Sequence, residues 1–138
     1  MNKRNLQIGN LVSLNGQTVQ VRAITGRKVG VLTDNKCSRL HYARFHEVEP
    51  IPITKEFLYK NGFTIVIDKL DGYNTLYGKE ADGHFLEIRF GISNTSKDHV
   101  VCHVDNSDRC TIGCADIQYV HQLQNFLNLI GIKSVFEI

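Results

Sequence analysis

Residues 115–131, ADIQYVHQLQNFLNLIG, decide how this 138-residue chain is read. Set at about 100° per residue, Tyr119, Val120, Leu123, Phe126, Leu127 and Ile130 fall within an arc of about 120°. That spacing predicts an amphipathic helix from Ala115 to Gly131 with its apolar stripe against a sheet. Asp116 near the start favours the helix dipole, and Gly131 supplies the terminating residue. The opposite side is unusual, because no charged residue occurs from Ile117 through Ile132. A solvated face normally carries Lys and Glu; this one offers Gln118, His121, Gln122, Asn125 and Asn128, with Leu129 projecting among them. Those six residues are the candidate interface. Charges are depleted from interface cores, so the face predicts cover by a protein partner, by a second copy, or by the N-terminal part of the same chain.

Upstream, period-2 alternation replaces the helical one. Strands are expected at Phe63 to Ile67, Tyr73 to Tyr77 and Phe85 to Ile92, joined at Asp71-Gly72 and Asp82-Gly83. A last hairpin pairs His99 to Val104 with Arg109 to Ile112, around Asp105-Asn106-Ser107-Asp108. Thr54 reads as the N-cap of a short helix through Lys60, with Phe57 and Leu58 inward and Gly62 ending it. In the first 50 residues, Leu11 to Leu14 precedes the hairpin signal Asn15-Gly16, and Thr18 to Ile24 sets Val19, Val21 and Ala23 on one side. Val29 to Thr33 and Cys37 to Tyr42 complete a set of short strands that fits a small SH3-like barrel. Pro50 and Pro52 mark a stiff junction. The expectation is an α+β chain: an SH3-like β-barrel over residues 1–50, then an α+β subdomain over 51–138, an antiparallel sheet with the long C-terminal helix packed on one face.

The net charge of +2 conceals a split. Residues 1–50 carry eight Lys and Arg against three acids, a balance of +5, whereas residues 51–138 carry eight against eleven, a balance of −3. A basic half suits a polyanion, and Arg22, Arg27, Lys28, Lys36, Arg39 and Arg44 near the barrel's turns are the candidate nucleic-acid contacts, with Tyr42 and Phe45 as the stacking candidates. Hydrophobic content of 42% with 22% charge is that of a globular protein, and no apolar run reaches the roughly 20 residues of a membrane span, so the expected location is the cytoplasm with no membrane partner. Cys37, Cys102, Cys110 and Cys114 are then expected as reduced thiols, Cys102 within the core.

Three chemical constellations fall short of a site. Cys110-x3-Cys114 with His121 and His103 could gather zinc ligands, but the spacing matches no standard finger or ribbon. A nucleophilic pair could draw on Cys110 or Cys114 with His103 or His121, oriented by Asp105 or Asp116, but no flanking signature supports it. Asp68, Asp71, Asp105 and Asp108 flank turns, where Asp serves its own backbone. No catalytic residue, metal or cofactor is expected.

At Asp105 to Gly113, Ala115-Asp116-Ile117 and Tyr119-Val120-His121-Gln122-Leu123-Gln124-Asn125, the chain resembles small uncharacterised proteins encoded in phages and mobile elements of gut bacteria. The likeness also touches Ile8 to Val12 and Glu49 to Phe63, and so spans most of the chain. It transfers no catalytic residue or ligand. What it implies is a mobile-element setting, in which accessory proteins act by binding nucleic acid or other proteins. The expected function is non-catalytic protein–protein interaction, with nucleic-acid binding by the basic barrel as the alternative.

Overall fold

The computed structural model describes residues 5–33, 39–67, 76–90, 100–108, 110–133 and 136. The chain is α+β, with two five-stranded antiparallel sheets and a C-terminal helix. The first sheet contains β1 (Leu11–Leu14), β2 (Gln17–Ile24), β3 (Lys28–Leu32), β4 (His41–Arg44) and β5 (Val48–Glu49) in the order β4-β3-β2-β1-β5. It curls into a half-barrel over Val12, Val19, Val21, Val29, Val31 and Val48. The second contains β6 (Thr64–Ile67), β7 (Leu76–Ala81), β8 (His84–Phe90), β9 (Val100–Asp105) and β10 (Thr111–Ile117), in the order β10-β9-β8-β7-β6. Helix α1 (Lys55–Lys60) precedes it, and α2 (Val120–Leu129) packs Leu123 and Leu127 into a core with Leu86, Ile88, Cys102 and Val104.

Local chemistry accounts for the turns. Asn15 and Gly16 both take positive φ (52° and 79°), as do Asp82 and Gly83 (50° and 73°), so each joins its strands through a two-residue turn whose twist matches theirs. Thr54 caps α1 by accepting from the Phe57 N–H at 3.1 Å, and Gly62 follows with φ +84°. Helix α2 ends with Gly131 at φ +86° and the Ile132 N–H bonded to the Leu127 carbonyl at 2.8 Å, which buries Ile132 and fixes the chain's exit.

Several expectations are corrected. The helix begins at Val120 rather than Ala115, because residues 115–117 continue β10, with Ala115 and Ile117 inward and Cys114 and Asp116 outward. Asp116 therefore does not serve the helix dipole. Tyr119 is the N-cap, and the Gln122 side chain accepts from the backbone N–H groups of Gln118 and Tyr119 at 2.8 and 3.1 Å. Strand β4 begins at His41, later than Cys37, and is followed by a 3-10 turn at Phe45–Glu47 and by β5, both unforeseen. A bulge between Val21 and Ala23 turns Ala23 away from the Val19–Val21 side, so it pairs with Gly30 on the outer face. Expectations for Lys36, Cys37, Asp68, Asp71, Gly72, Tyr73 to Thr75, Gly91, Ile92, His99 and Arg109 lie outside the described residues.

The two sheets are tied by amides. Gln124 is 1% exposed; its Oε1 accepts from the Leu11 N–H at 2.8 Å and its Nε2 donates to the Gly9 carbonyl at 3.3 Å. Asn10, equally buried, donates from Nδ2 to Asn125 Oδ1 at 2.8 Å and accepts from the Gln7 N–H at 2.7 Å. Asn125 in turn donates to the Asn5 carbonyl at 2.9 Å. Leu11 enters the α2 core while its neighbour Val12 enters the half-barrel core, so β1 serves both. The proline junction is pinned as well, since Ile53 N–H bonds the Gln118 carbonyl and Val120 N–H bonds the Ile51 carbonyl. Gln124→Leu, close in volume, should cost about 1–3 kcal/mol by leaving the buried Leu11 N–H without an acceptor. A urea midpoint equal to wild type would show that this amide does not hold the halves together.

Candidate functional site

The amide face of α2 divides when its surroundings are seen. His121 is 4% exposed and stacks on Tyr119 with centroids 5.9 Å apart, Asn125 is half-buried in the clasp, and Gln122 is spent on the N-cap. The chain's own N-terminal segment covers this side. Gln118, Asn128 and Leu129 remain outside, Leu129 at 85% exposure. Gln124, absent from the candidates, is the residue that matters most there. Its signal was its phase: four after Val120 and three before Leu127, it occupies a core-facing position.

The basic candidates gather on the other side of the half-barrel. Lys28 and Arg44 are direct cross-strand partners, and Gly30 and Tyr42 are the next pair on the same face. Tyr42 is 49% exposed and lies across Gly30; a Cβ there would come within 3.0 Å of the ring and 3.1 Å of the Ala23 Cβ. The glycine is thus the floor on which the phenol rests. Arg22 stands at the bulge in β2, and Arg27 in the Thr25–Lys28 turn, whose Thr25 Oγ1 accepts from the Arg27 and Lys28 N–H groups. All four cations are exposed. Arg39 is exposed beyond the start of β4, Lys36 lies outside the described residues, and Phe45 is half-buried against the half-barrel core. Like charges placed directly opposite on a sheet repel, so the Lys28–Arg44 pair costs stability that a bound anion would return.

The second sheet keeps its chemistry on the face away from α2. Cys114 and His103 are cross-strand partners, with Sγ and Nε2 3.6 Å apart. His121, on α2, is on the opposite side of this sheet, and Cys110 lies in the β9–β10 turn with its Sγ 3.9 Å from the Asp108 carbonyl. Cys110, Cys114, His103 and His121 therefore do not converge, and among the described residues no group of three or more His, Cys, Asp and Glu side chains forms a metal cage. Asp105 accepts from the Thr111 hydroxyl, and Asn106 Oδ1 accepts from the Asp108 and Cys110 N–H groups, which organises the turn. Beside that turn opens a cleft of about 730 Å³ walled by Glu80, Asp82, Glu87 and Asp105, with Phe85 against it. Among the described residues no helix is long and apolar enough to cross a membrane.

No protein-family model, no curated protein and no solved structure matches the chain.

Burial holds His121 below the ordinary histidine value of 6.5, so the folded state resists the proton that the unfolded chain accepts. Stability from the neutral ring is fully present above about pH 6.5 and is lost as pH falls below that value toward the folded one. Urea midpoints measured from about pH 5 to 8 should therefore fall on the acid side, and His121→Leu should flatten that slope. An unchanged slope in the variant would assign the acid loss to other groups.

Proposed function

We propose that the outer face of the half-barrel binds single-stranded nucleic acid, without catalysis, through Lys28, Arg44, Arg22 and Arg27 on phosphates and Tyr42 under a base. The observation that carries this reading is the Tyr42 ring, seated on Gly30 and half exposed, beside a cross-strand pair of cations. Stacking on an exposed ring next to a phosphate-neutralising row is how unpaired strands are held with little sequence preference. A duplex keeps its bases stacked inside and would leave the ring unused. The strand order β4-β3-β2-β1-β5, with a 3-10 turn before β5, supports reading the half-barrel as SH3-like. A cytoplasmic accessory role in a phage or mobile element suits such a module.

We therefore favour nucleic acid over a protein partner. The helix face that argued for a partner is occupied by Asn5, Gly9, Asn10 and Leu11 of the same chain. A protein surface would have to be built on Gln118, Asn128 and Leu129.

Fluorescence anisotropy with single-stranded oligonucleotides tests the proposal. Three or four phosphate contacts at about 0.7 ions each predict a slope of log K against log salt of about −2 to −3. Lys28→Glu should abolish binding while leaving the unfolding midpoint equal or higher, because the new carboxylate pairs with Arg44 across the strands. Tyr42→Ala should weaken binding by about 5- to 150-fold, the worth of one stacked base. Undiminished affinity in both variants would reject the face. Leu129→Glu should change neither affinity nor stability by more than about 0.5 kcal/mol. A wild-type dimer on light scattering that this substitution splits would restore the protein-partner reading.

A further inference from the structure

The outer face of the second sheet carries a chemistry independent of the half-barrel. Glu87 on β8, His103 on β9 and Cys114 on β10 are successive cross-strand partners, one row across three strands. Partners on one face hold their Cβ atoms about 4.5–5.5 Å apart, so the row is set by backbone register rather than by flexible side chains. The register itself is locked from behind. Beyond a bulge between Thr111 and Gly113, Gly113 lies beneath Phe126 of α2, where a Cβ would come within 3.0 Å of the ring. With Gly113 held inward, Cys114 must point outward, opposite His103.

We propose that Cys114 is a reactive thiol, with His103 as the acceptor of its proton, and that it takes small cationic disulfides by thiol–disulfide exchange. The Sγ to Nε2 separation of 3.6 Å is within reach for that transfer, and the thiol is exposed on the edge strand. The Cys114 S–H proton passes to His103 Nε2. The thiolate attacks one sulfur of the disulfide, the reagent's S–S bond breaks, and a new bond joins Cys114 Sγ to that sulfur. The departing thiolate collects the proton from His103 and leaves as a thiol. The disulfide is the only oxidant, and one equivalent is consumed per chain.

The other described cysteines are poor rivals. Cys102 is fully buried, and burial, with Cys114 adding to it, pushes its thiol up to about 12. Cys110 is exposed, but its contact is the Asp108 carbonyl, which is no base to take its proton. The charge preference follows from the groups on the same face. Among the described residues, Glu87 from β8, Asp105 from β9 and Asp116 from β10 are carboxylates, with Arg89 of β8 an opposing cation. The neighbouring cleft adds Glu80 and Asp82. A positively charged reagent is drawn to this surface and an anionic one repelled.

The test reacts the full-length protein with cystamine, a diamine disulfide, and separately with dithiodiglycolate, a dicarboxylate one. Peptide mass spectrometry reads each cysteine between about pH 6 and 8. Cys114 should be modified about tenfold or more faster than Cys110, and cystamine should outpace dithiodiglycolate at Cys114 by a margin that shrinks with salt. His103→Gln should bring the rate and pH profile of Cys114 to those of Cys110 without altering Cys110, and Glu87→Gln should narrow the preference for the cation. Equal rates at Cys114 and Cys110 in the wild-type protein would overturn the proposal, as would a Cys114 profile indifferent to His103→Gln in a folded variant. Equal rates for the two reagents at Cys114 would overturn the charge preference.

Discussion

The hydrogen bond from the Leu11 N–H to Gln124 Oε1 is the constraint on which the rest of the molecule depends. Strand β1 has obligations on both sides: Leu11 inserts into the α2 core, while Val12 and Leu14 insert into the half-barrel core. A backbone group between two apolar cores meets no water, and an unpaired N–H there costs far more than a hydrogen bond normally contributes. The chain meets that demand with a side chain from α2. Gln124 can reach Leu11 only if α2 presents the same face that Asn125 needs for Asn10 and Asn5. The clasp is therefore cooperative: each amide fixes the register and rotation that the others require.

This arrangement explains the missing charges on α2. A Lys or Glu at position 121, 124 or 125 would be carried into the contact between helix and N-terminal segment, where desolvation outweighs anything a single partner returns. Amides can be buried at modest cost when both their donor and acceptor groups are used, and Gln124 and Asn125 use both. The exposed cations of the half-barrel, and the carboxylates, thiol and imidazole of the second sheet, lie on the outer faces of the two sheets. The opposite balances of the two halves of the sequence become two separate surfaces.

Much of this was legible where one residue type has one local solution. Asn15-Gly16 and Asp82-Gly83 are turns because few other residues accept positive φ at both positions, and Thr54 is a cap because its hydroxyl suits the third N–H. The anomaly of the amide face was legible too, though not which of the possible covers it has. Less could be read where two periods coincide. Ala115 and Ile117 alternate as in a strand, while Ile117 and Val120 stand three apart as at a helix start, and the open edge of β9, a tertiary fact, decided between them. The bulges at Arg22 and Ile112 left no mark in composition, and Gln124 was passed over because an amide near an apolar stripe reads as its boundary.

Those two bulges carry more of the surface chemistry than any motif. In β2, the extra residue brings Ala23 to the outer face opposite Gly30, making the small floor over which the Tyr42 ring lies and leaving Arg22 free to project. In β10, the extra residue lets Gly113 sit beneath Phe126 while Cys114 faces His103. A regular strand would have kept strict alternation from one end to the other, and each site would have lost one of its members to the core. In both sheets a glycine stands beside the re-phased residue, under an aromatic ring that no Cβ would tolerate so close. The Gly113–Phe126 contact holds its register from the core side and the Gly30–Tyr42 contact from the outer face, and the neighbouring exposed side chains take their alignment from the register so fixed.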